Sequence, residues 1–407
     1  NSFCTLLALP CKSMGGSGRS SASRRSASRR SQPTPKASRK RSASPPPRVV
    51  ERTEAWRLTA GNIAALEKKN VELGPAGANE VTVEVRACGL NFADVFACLG
   101  LYSATPQGEF TPGLEFSGVV VAKGKLVTAH AVGDRVFGVT RFGGYSKHIN
   151  IDSKYCRPLA DDWTFEQGAS YPGQAITAFY GIVKLGALSK GQTVLIHSVA
   201  GGTGLWAAKI CLKLGANVVG TVGSASKVST VVAETDMVAS DVIDRSQYTT
   251  AKDREQALLD AARRHGVEKF DIVFDSLMGD WFSASHEAVG ILGRHVVLGA
   301  GAMTPQHDRL GVWDWVKLGV QYLRRGMVDP LNMISLNKSV MAFNLIWLYE
   351  RTDMVGEVFA ELDELTCGMK KPLVGDVFEF DDAPNALRRL RSGDTVGKVV
   401  LSVSATS

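Results

Sequence analysis

A glycine-rich loop between a short apolar run and an amphipathic segment is the feature that most constrains the fold of this chain. The apolar run covers residues 194–197, the amphipathic segment covers 205–214, and the loop between them contains Ala200, Gly201, Gly202, Thr203 and Gly204. Strand, glycine loop and helix in this order form the first βα unit of a dinucleotide-binding domain, where the helix N-terminus and bare backbone accommodate a pyrophosphate. The usual G-x-G-x-x-G pattern has Val199 at its first position here. We predict that this loop holds the pyrophosphate of a nicotinamide dinucleotide.

The alternation of strand-like and helix-like segments continues beyond this loop. Strands are predicted at residues 217–222, 241–243, 271–275 and 294–299, and helices at 227–234, 254–265 and 283–289. Apolar strands separated by helices are typical of a doubly wound parallel sheet, so we predict a Rossmann domain. Residues 80–160 instead alternate with period two between turns, which predicts a compact β-rich unit.

The C-terminal part of the chain has a different pattern. Residues 310–370 are mostly helical in pattern, and four aromatic side chains are predicted to anchor them in the core: Trp313, Trp315, Phe343 and Trp347. The last segment predicts a strand, a short helix at 383–391 and a final strand at 398–402.

The end of the second strand of the predicted Rossmann domain indicates which dinucleotide is bound. In NAD-binding domains an acidic residue about 20 positions after the loop holds the ribose hydroxyl. This chain has no carboxylate there and reads TVGSASK over residues 221–227. Ser224, Ser226 and Lys227 are candidates for binding a 2′-phosphate, and Arg245 after the third strand offers a second positive charge. We therefore predict NADPH as the cofactor.

Further motifs accompany the loop between residues 80 and 403. In chain order they are GLNFAD (89–94), GLY (100–102), PGLEFSG (112–118), GDRV (133–136), AGGTG (200–204), DS (275–276) and VGKVVL (396–401). In this combination they resemble the zinc-independent quinone oxidoreductases of the medium-chain dehydrogenase/reductase superfamily. Within that family, the long helical stretch before Phe343 is most similar to the branch of the synaptic vesicle membrane protein VAT-1.

The resemblance implies a catalytic domain formed by both chain ends around a central Rossmann domain, usually in a homodimer. We place a disordered basic tail at residues 1–50, the first part of the GroES-like catalytic domain at 51–170, the Rossmann NADPH-binding domain at 171–344 and the second part of the catalytic domain at 345–407. The predicted fold class is α/β, with a GroES-like β-rich catalytic domain and a doubly wound Rossmann domain.

The same resemblance argues against a metal site. Zinc alcohol dehydrogenases of this superfamily place ligands where this chain has Asn91, Leu114 and approximately Gly173, and none of these can supply a thiolate or an imidazole. The seven cysteines include no CxxC pair, so no Cys-rich zinc lobe is expected. Without a Lewis acid, hydride transfer depends on positioning the acceptor and stabilising its developing oxyanion.

The resemblance also implies roles for individual polar residues. Asn91 and Tyr102 would lie near the nicotinamide and the substrate as amide and phenol donors, and Asp94 would orient the segment that carries Asn91. A helix-capping role for Asp94 and plain packing for Tyr102 are the alternatives. Many relatives have Tyr at the position of Phe96 and Arg at that of Cys98, which weakens the inference of a simple quinone substrate. Further family positions near the cofactor are Thr177, Gly299, Phe343 and Lys398.

Three functional hypotheses follow. The leading one is an NADPH-dependent reductase of quinones or α,β-unsaturated carbonyls. The second is reduction of enoyl thioesters, for which Arg324 and Arg325 hint at a basic channel for a phosphopantetheine. The third is an NADPH-binding protein with little catalysis and a membrane or regulatory role, as in VAT-1-like relatives.

The positive net charge belongs to the N-terminal tail. Residues 1–50 contain eleven Lys or Arg and no acidic residue, which leaves 36 basic against 40 acidic residues in the remainder. The globular part is therefore not expected to bind nucleic acid. The Ser/Arg-rich composition of the tail is typical of a plastid or mitochondrial transit peptide, of a solvated phosphorylatable linker or of an RNA-binding arm, and without targeting the protein would be cytoplasmic. No transmembrane span is expected, whereas peripheral membrane contact stays open.

Overall fold

Both ends of the described chain contribute strands to the same sheet. The structure is a computed structural model that describes residues 49–404. The predictions of disorder and of a transit peptide concern the basic tail, and residues 1–48 lie outside the described residues. Within the described range, no helix has the length and apolar character needed to cross a bilayer.

The first part of the described chain is mostly β-structure. Its elements are β1 (Arg52–Thr59), β2 (Glu67–Glu72), β3 (Glu80–Gly89), α1 (Phe92–Cys98), β4 (Glu109–Phe110), β5 (Glu115–Lys123), β6 (Arg135–Val139), β7 (His148–Asp152), β8 (Cys156–Pro158), α2 (Phe165–Ala169) and α3 (Pro172–Phe179), which continues as a π-helical turn over Tyr180–Leu185.

Strands and helices then alternate up to the final strand. The elements are β9 (Thr193–Ile196), α4 (Gly202–Lys213), β10 (Asn217–Val222), α5 (Val228–Glu234), β11 (Val242–Asp244), α6 (Ala251–Arg264), β12 (Phe270–Asp275), α7 (Phe282–Glu287), β13 (Val289–Val297), α8 (Val312–Arg324), α9 (Pro330–Leu336), β14 (Ser339–Ala342), α10 (Leu345–Leu348), α11 (Thr352–Thr366), β15 (Val374–Glu379), α12 (Ala383–Arg391) and β16 (Lys398–Ser402).

A seven-stranded sheet forms the core of the catalytic domain. Its strand order is β15-β16-β3-β5-β6-β8, and β7 pairs with β3. The C-terminal strand β16 runs antiparallel to β3, with Leu401 opposite Cys88. A smaller sheet of order β2-β1-β4 lies beside it. The C-terminal segment therefore returns to the N-terminal β-rich unit, as a domain built from both ends requires.

The central part of the chain forms a six-stranded parallel sheet. The strand order is β11-β10-β9-β12-β13-β14, which is the 3-2-1-4-5-6 order of a Rossmann domain. Val194, Leu195 and Ile196 of β9 are fully buried, and each such side chain contributes about 1.5–3 kcal/mol through burial. The order reverses between β9 and β12, so a ligand crevice is expected at the carboxyl ends of these strands. The predicted α/β fold class with its two sheets is confirmed.

The prediction that residues 310–370 are mostly helical is confirmed, whereas the prediction of four aromatic core anchors is wrong for the three tryptophans. This stretch contains the sheet strand β14, which has too few residues to show a strand period. Trp313, Trp315 and Trp347 are 83%, 40% and 46% exposed and do not anchor the core, whereas Phe343 packs on Tyr180 with ring centroids 5.2 Å apart. The apolar face of α8 is directed to solvent. The period of the apolar residues identifies such a helix face, but it does not show whether that face is buried in the core or exposed.

Candidate active site

A cavity of about 940 Å³ lies between the catalytic domain and the carboxyl ends of the Rossmann strands. The glycine loop forms one wall of the cavity, and Asn91 and Phe92 at the start of α1 belong to the other domain. Both sheets therefore contribute to one site, which is large enough for a cofactor portion and a small substrate.

The glycine loop leaves β9 through a sharp turn. Ser198 has a positive φ of 52°, a conformation that non-glycine residues adopt mainly where the surroundings enforce it. Val199 takes the place of the usual first glycine because Gly220 on β10 lies opposite, where a Cβ would be 2.5 Å from the Val199 Cγ1. At Gly204 a Cβ would be 2.5 Å from the Ser198 carbonyl oxygen. The missing side chains thus allow α4 to begin directly at the end of β9.

The N-terminus of α4 faces the cavity and a loop of the catalytic domain. The Gly202 N–H donates to the Gly397 carbonyl at 3.1 Å, and the Gly397 N–H donates to the Ala200 carbonyl at 2.9 Å. The N–H groups of Thr203 and Gly204 come next at this end, where a helix offers no carbonyl partners of its own. Gly201–Gly204 all line the cavity. This cradle fits the pyrophosphate of a dinucleotide.

Two of the four residues predicted to bind a 2′-phosphate line the cavity. Arg245 Nη1 donates to Thr221 Oγ1 at 2.8 Å, and burial lowers the pKa of this guanidinium to about 10, so it stays charged at neutral pH. Lys227 also lines the cavity, but its ammonium donates to the carbonyls of Gly393 at 2.6 Å and Thr395 at 3.2 Å.

The other two predicted phosphate ligands lie next to the cavity rather than in its lining. The hydroxyls of Ser224 and Ser226 hydrogen-bond each other at 2.7 Å, and Ser224 Oγ caps the short helical turn that follows β10. Arg245 is therefore the best-placed cation for a phosphate.

The cavity contains cations but no acidic side chain among the lining residues that the structure describes. Its charged lining residues are Lys227, Arg245, Arg325 and Lys398. A site of this charge favours an anionic ligand.

His197 directly follows the strand β9 and faces this cavity as a neutral ring. Its Nδ1 lies 2.9 Å from Thr221 Oγ1 and its Nε2 lies 2.7 Å from Ser285 Oγ. Burial lowers the pKa of His197 to about 4. The ring is therefore a packed hydrogen-bonding group that stays uncharged near neutral pH.

Asn91 is the polar group at the catalytic-domain wall of the cavity. Its Oδ1 accepts from Lys398 Nζ at 2.8 Å, and its Nδ2 donates to Glu115 Oε1 at 2.8 Å. Lys398 and Glu115 form a buried ion pair behind it, and Glu115 Oε2 accepts from the Gly173 N–H at 2.8 Å. The amide is thus held from both sides.

Asp94 lies behind Asn91, outside the cavity lining. Its Oδ2 accepts from the Asn91 N–H at 2.8 Å and its Oδ1 accepts from the Gly113 N–H at 3.2 Å. Burial raises the pKa of Asp94 to about 7, against the hydrogen bond from the Asn91 N–H. Asp94 thereby caps the first turn of α1. These are the contacts of the helix-capping alternative, and they also hold the backbone of the segment that carries Asn91.

Tyr102 connects the two domains. Its phenol donates to Asn344 Oδ1 at 2.7 Å, and burial raises its pKa well above the ordinary value. The hydroxyl is therefore protonated at neutral pH, but its hydrogen is directed to Asn344. In this arrangement Asn91 is the better-placed donor for a substrate.

The remaining predicted residues, Thr177, Gly299 and Phe343, also line the cavity.

Sequence reasoning missed Glu115, Gln174 and Asn344. Gln174 lies so close to the N-terminus of α4 that a side chain at Gly202 would overlap it. Glu115 lies in the PGLEFSG motif (112–118). The sequence signal that could have identified it is the presence of a single acidic residue in an apolar strand.

The positions equivalent to zinc ligands meet at this wall. Asn91, Leu114 and Gly173 all line the cavity, and none of them offers a thiolate or an imidazole. In residues 49–404, no three His, Cys, Asp or Glu side chains come together as a possible metal site.

A Rossmann domain and a GroES-like domain that share a cleft define the class of dehydrogenases and reductases. A family model for the alcohol dehydrogenase GroES-like domain matches residues 77–163, and one for zinc-binding dehydrogenases matches residues 237–401. The chain is 29% identical to the synaptic vesicle membrane protein VAT-1 homologue of zebrafish over 79% of its length, a match that spans 64% of that relative. It is also 29% identical to the human VAT-1 homologue, over 80% of this chain and 79% of the relative.

Solved structures with the same fold include a mycobacterial protein, a quinone oxidoreductase and an enoyl reductase. A mycobacterial protein complexed with NADPH superposes with a TM-score of 0.72 at 25% identity, covering 86% of this chain and 99% of that one. A quinone oxidoreductase of Pseudomonas syringae gives 0.69 at 27% identity over 86% and 99%. The CurK enoyl reductase gives 0.69 at 26% identity over 87% and 100%. These matches are consistent with the zinc-independent quinone oxidoreductase family of the medium-chain dehydrogenase/reductase superfamily.

Proposed function

We propose that this protein binds NADPH in the interdomain cleft and reduces a quinone or an α,β-unsaturated carbonyl. The observation that carries the proposal is the cleft itself, which joins a glycine loop at a helix N-terminus, Arg245 at the phosphate end and the Asn91 amide at the opposite wall. The NADPH complex of a structural neighbour supports the cofactor assignment.

The residues of this chain would have separate tasks. The N–H groups of Thr203 and Gly204 would hold the pyrophosphate, and Arg245 would pair with the 2′-phosphate. NADPH, when bound, supplies a hydride. The Asn91 Nδ2 group has one hydrogen directed to Glu115, so its second hydrogen is available to a substrate oxygen that becomes negative as the hydride arrives. Apolar side chains such as Leu114 and Ile346 exclude water from this wall.

The proposal is tested with the purified full chain. NADPH and NADH are titrated by fluorescence, and the loss of reduced-nicotinamide absorbance is then followed with a panel of quinones and enals. We expect tighter binding of NADPH than of NADH, and oxidation in the presence of at least one acceptor. Tight NADPH binding without oxidation by any acceptor would instead favour the cofactor-binding, non-catalytic alternative.

Arg325 favours enoyl thioesters as a second acceptor class. It lines the cavity, with its guanidinium carbon 3.6 Å from the centre of the Tyr322 ring and Nη1 donating to the Tyr322 carbonyl at 2.6 Å. A phosphate on the thiol handle of an acyl substrate would be attracted by this charge.

Two thioesters of the same acyl group distinguish this possibility. A crotonyl thioester of coenzyme A should be reduced faster than the same thioester of N-acetylcysteamine, and Arg325→Ala should remove the difference. Arg263→Ala, at an exposed arginine of the same domain, is the matched control. Equal rates for both thioesters would exclude Arg325 as a phosphate contact.

We also propose that the protein is a homodimer. The face of α8 and α9 that points away from the protein is apolar, with Trp313, Leu323, Leu331 and Ile334 between 71% and 83% exposed. The same region ends in β14, the outermost strand of the Rossmann sheet in the described chain. A second copy can satisfy both the apolar face and the hydrogen-bonding edge, whereas a lipid surface cannot pair the edge.

Light scattering on the full chain tests the dimer. The mass should correspond to two chains, and Leu323→Glu should shift it to one, while Leu126→Glu at an exposed position of the catalytic domain should leave it unchanged. A monomer that binds phospholipid vesicles through this face would contradict the dimer and favour peripheral membrane contact.

A further inference from the structure

Four chain segments meet at a buried ion pair behind the Asn91 amide. Glu115 on β5 is 0% exposed and Lys398 on β16 is 1% exposed. The ammonium contacts Glu115 Oε1 and donates to Asn91 Oδ1 at 2.8 Å. The other carboxylate oxygen accepts from the Gly173 N–H at the start of α3. The pair therefore ties β5, β16 and α3 to the residue that precedes α1.

The chemistry of these partners determines which way the amide faces. An ammonium group can only donate and a carboxylate can only accept, so Oδ1 must face Lys398 and Nδ2 must face Glu115. A flipped amide would place two donors together on one side and two acceptors together on the other. We infer that Glu115 and Lys398 are positioning residues that fix the Asn91 amide, so that its remaining N–H faces the cavity. This role rests on the proposed reduction at that site.

The local packing fits a pair kept for orientation. At Gly89 a Cβ would be 2.8 Å from Lys398 Cε and 2.9 Å from Glu115 Cγ, and at Gly173 it would be 2.9 Å from Glu115 Oε2. Both glycines thus make room for the charged side chains. A buried ion pair commonly adds no more stability than apolar residues of similar volume. Apolar residues could not orient an amide, whereas this pair can.

The first test is a double-mutant cycle on kinetics. Lys398→Met in the full chain should lower kcat by about tenfold to about a hundredfold, and it should change the KM for NADPH less. The upper end of this range reaches the effect of removing a hydrogen-bond donor to an oxyanion. In an Asn91→Ala background the same substitution should lower kcat by less than about threefold, because the positioned group is already absent. Lys398→Arg retains a donor and should restore part of the rate. An equal loss in both backgrounds would overturn the inference.

A half-exposed ion pair of the same domain controls for the loss of a charge away from the site. Arg389 and Asp376 join α12 and β15 in the same domain at 2.8 Å, away from the cavity lining. Arg389→Met should leave kcat within about twofold of the parent while changing the melting temperature by an amount comparable to surface substitutions. If Lys398→Met fails to fold, Glu115→Gln serves in its place, because it removes the charge and keeps a similar volume.

The second test does not need turnover. The side-chain NH₂ signals of Asn91 are assigned in ¹⁵N-asparagine-labelled protein by their loss in Asn91→Ser, and their exchange with water is measured. The hydrogen directed to Glu115 should be protected in the parent and at least about tenfold less protected in Lys398→Met or Glu115→Gln, with no change in Arg389→Met. Unchanged protection would refute the positioning role. If the parent reduces no acceptor, the proposed function fails while this measurement still decides the inference.

Discussion

Replacing Arg245 by alanine should weaken NADPH binding and leave NADH binding nearly unchanged. Arg245 is held by a hydrogen bond from Nη1 to Thr221 Oγ1 at 2.8 Å, and burial lowers its pKa to about 10. It is therefore a pre-positioned cation at neutral pH, and the 2′-phosphate is the group that distinguishes the two dinucleotides.

The size of the effect follows from the nature of the contact. A hydrogen bond that involves a charged group contributes about 1.5–3 kcal/mol. Since 1.4 kcal/mol corresponds to a tenfold change in Kd, NADPH should bind about tenfold to about a hundredfold more weakly to Arg245→Ala. Lys227→Met should have a smaller effect, because the Lys227 ammonium already donates to the carbonyls of Gly393 and Thr395.

The assay is a fluorescence titration of the full chain with each dinucleotide at low and high salt. The preference for NADPH should fall with added salt in the parent, because phosphate pairing is partly screened, and should be almost absent in Arg245→Ala. Arg263→Ala, at an exposed arginine that pairs with Asp260 and Glu268, is the control and should match the parent.

The reasoning would be refuted by either of two results. A similar loss for NADH would mean that Arg245 supports the fold of the pocket and does not read the phosphate. An unchanged affinity for NADPH would mean that the 2′-phosphate lies elsewhere, with Lys227 and the hydroxyls of Ser224 and Ser226 as the remaining predicted ligands.

Three further predictions concern the loop, a buried carboxyl group and the tail. Gly204→Ala should abolish NADPH binding and lower the free energy of unfolding by about 1–3 kcal/mol, because the new Cβ would be 2.5 Å from the Ser198 carbonyl oxygen. Fluorescence titration measures the binding and calorimetry measures the stability. Normal NADPH binding would contradict the role of the glycine loop as a pyrophosphate cradle. Burial raises the pKa of Asp94 to about 7, so ionisation of this carboxyl group opposes folding. The free energy of unfolding of the parent should therefore fall as pH rises from about 4 to 7, by roughly 4 kcal/mol at most. Asp94→Asn should flatten the pH dependence of urea unfolding in that window, and an identical profile would show that the group titrates normally. Residues 1–50 fused to a fluorescent reporter should direct it to plastids or mitochondria, and a cytosolic reporter would leave the linker interpretation.

The Rossmann half of the fold could be predicted closely because its signals are local. Strand β10 (Asn217–Val222) of the Rossmann sheet has the predicted bounds, and so does helix α12 (Ala383–Arg391) of the catalytic domain. Helix α4 begins at Gly202, three residues earlier than its apolar period suggests, because packing against the end of β9 keeps glycines in its first turn. Tertiary contacts override helix propensity at this point.

The parts that could not be predicted depend on distant neighbours. Glu115 meets Lys398 across 283 positions of the chain, and no local pattern in the strand reveals its partner. The contact of the Tyr102 phenol with Asn344 joins two domains in the same way. The outward apolar face of α8 has the same period as a buried one, so Trp313 was wrongly assigned to the core.

Transfer of deuterium from NADPH labelled at the reactive hydrogen of its nicotinamide tests the central claim most directly. The full chain is incubated with the labelled cofactor and an α,β-unsaturated carbonyl, and the product is analysed by mass spectrometry and NMR. The account predicts deuterium at the carbon that receives the hydride, with a rate that falls strongly in Asn91→Ala. Cofactor that stays unoxidised, or a product without deuterium, would contradict hydride transfer in this cleft.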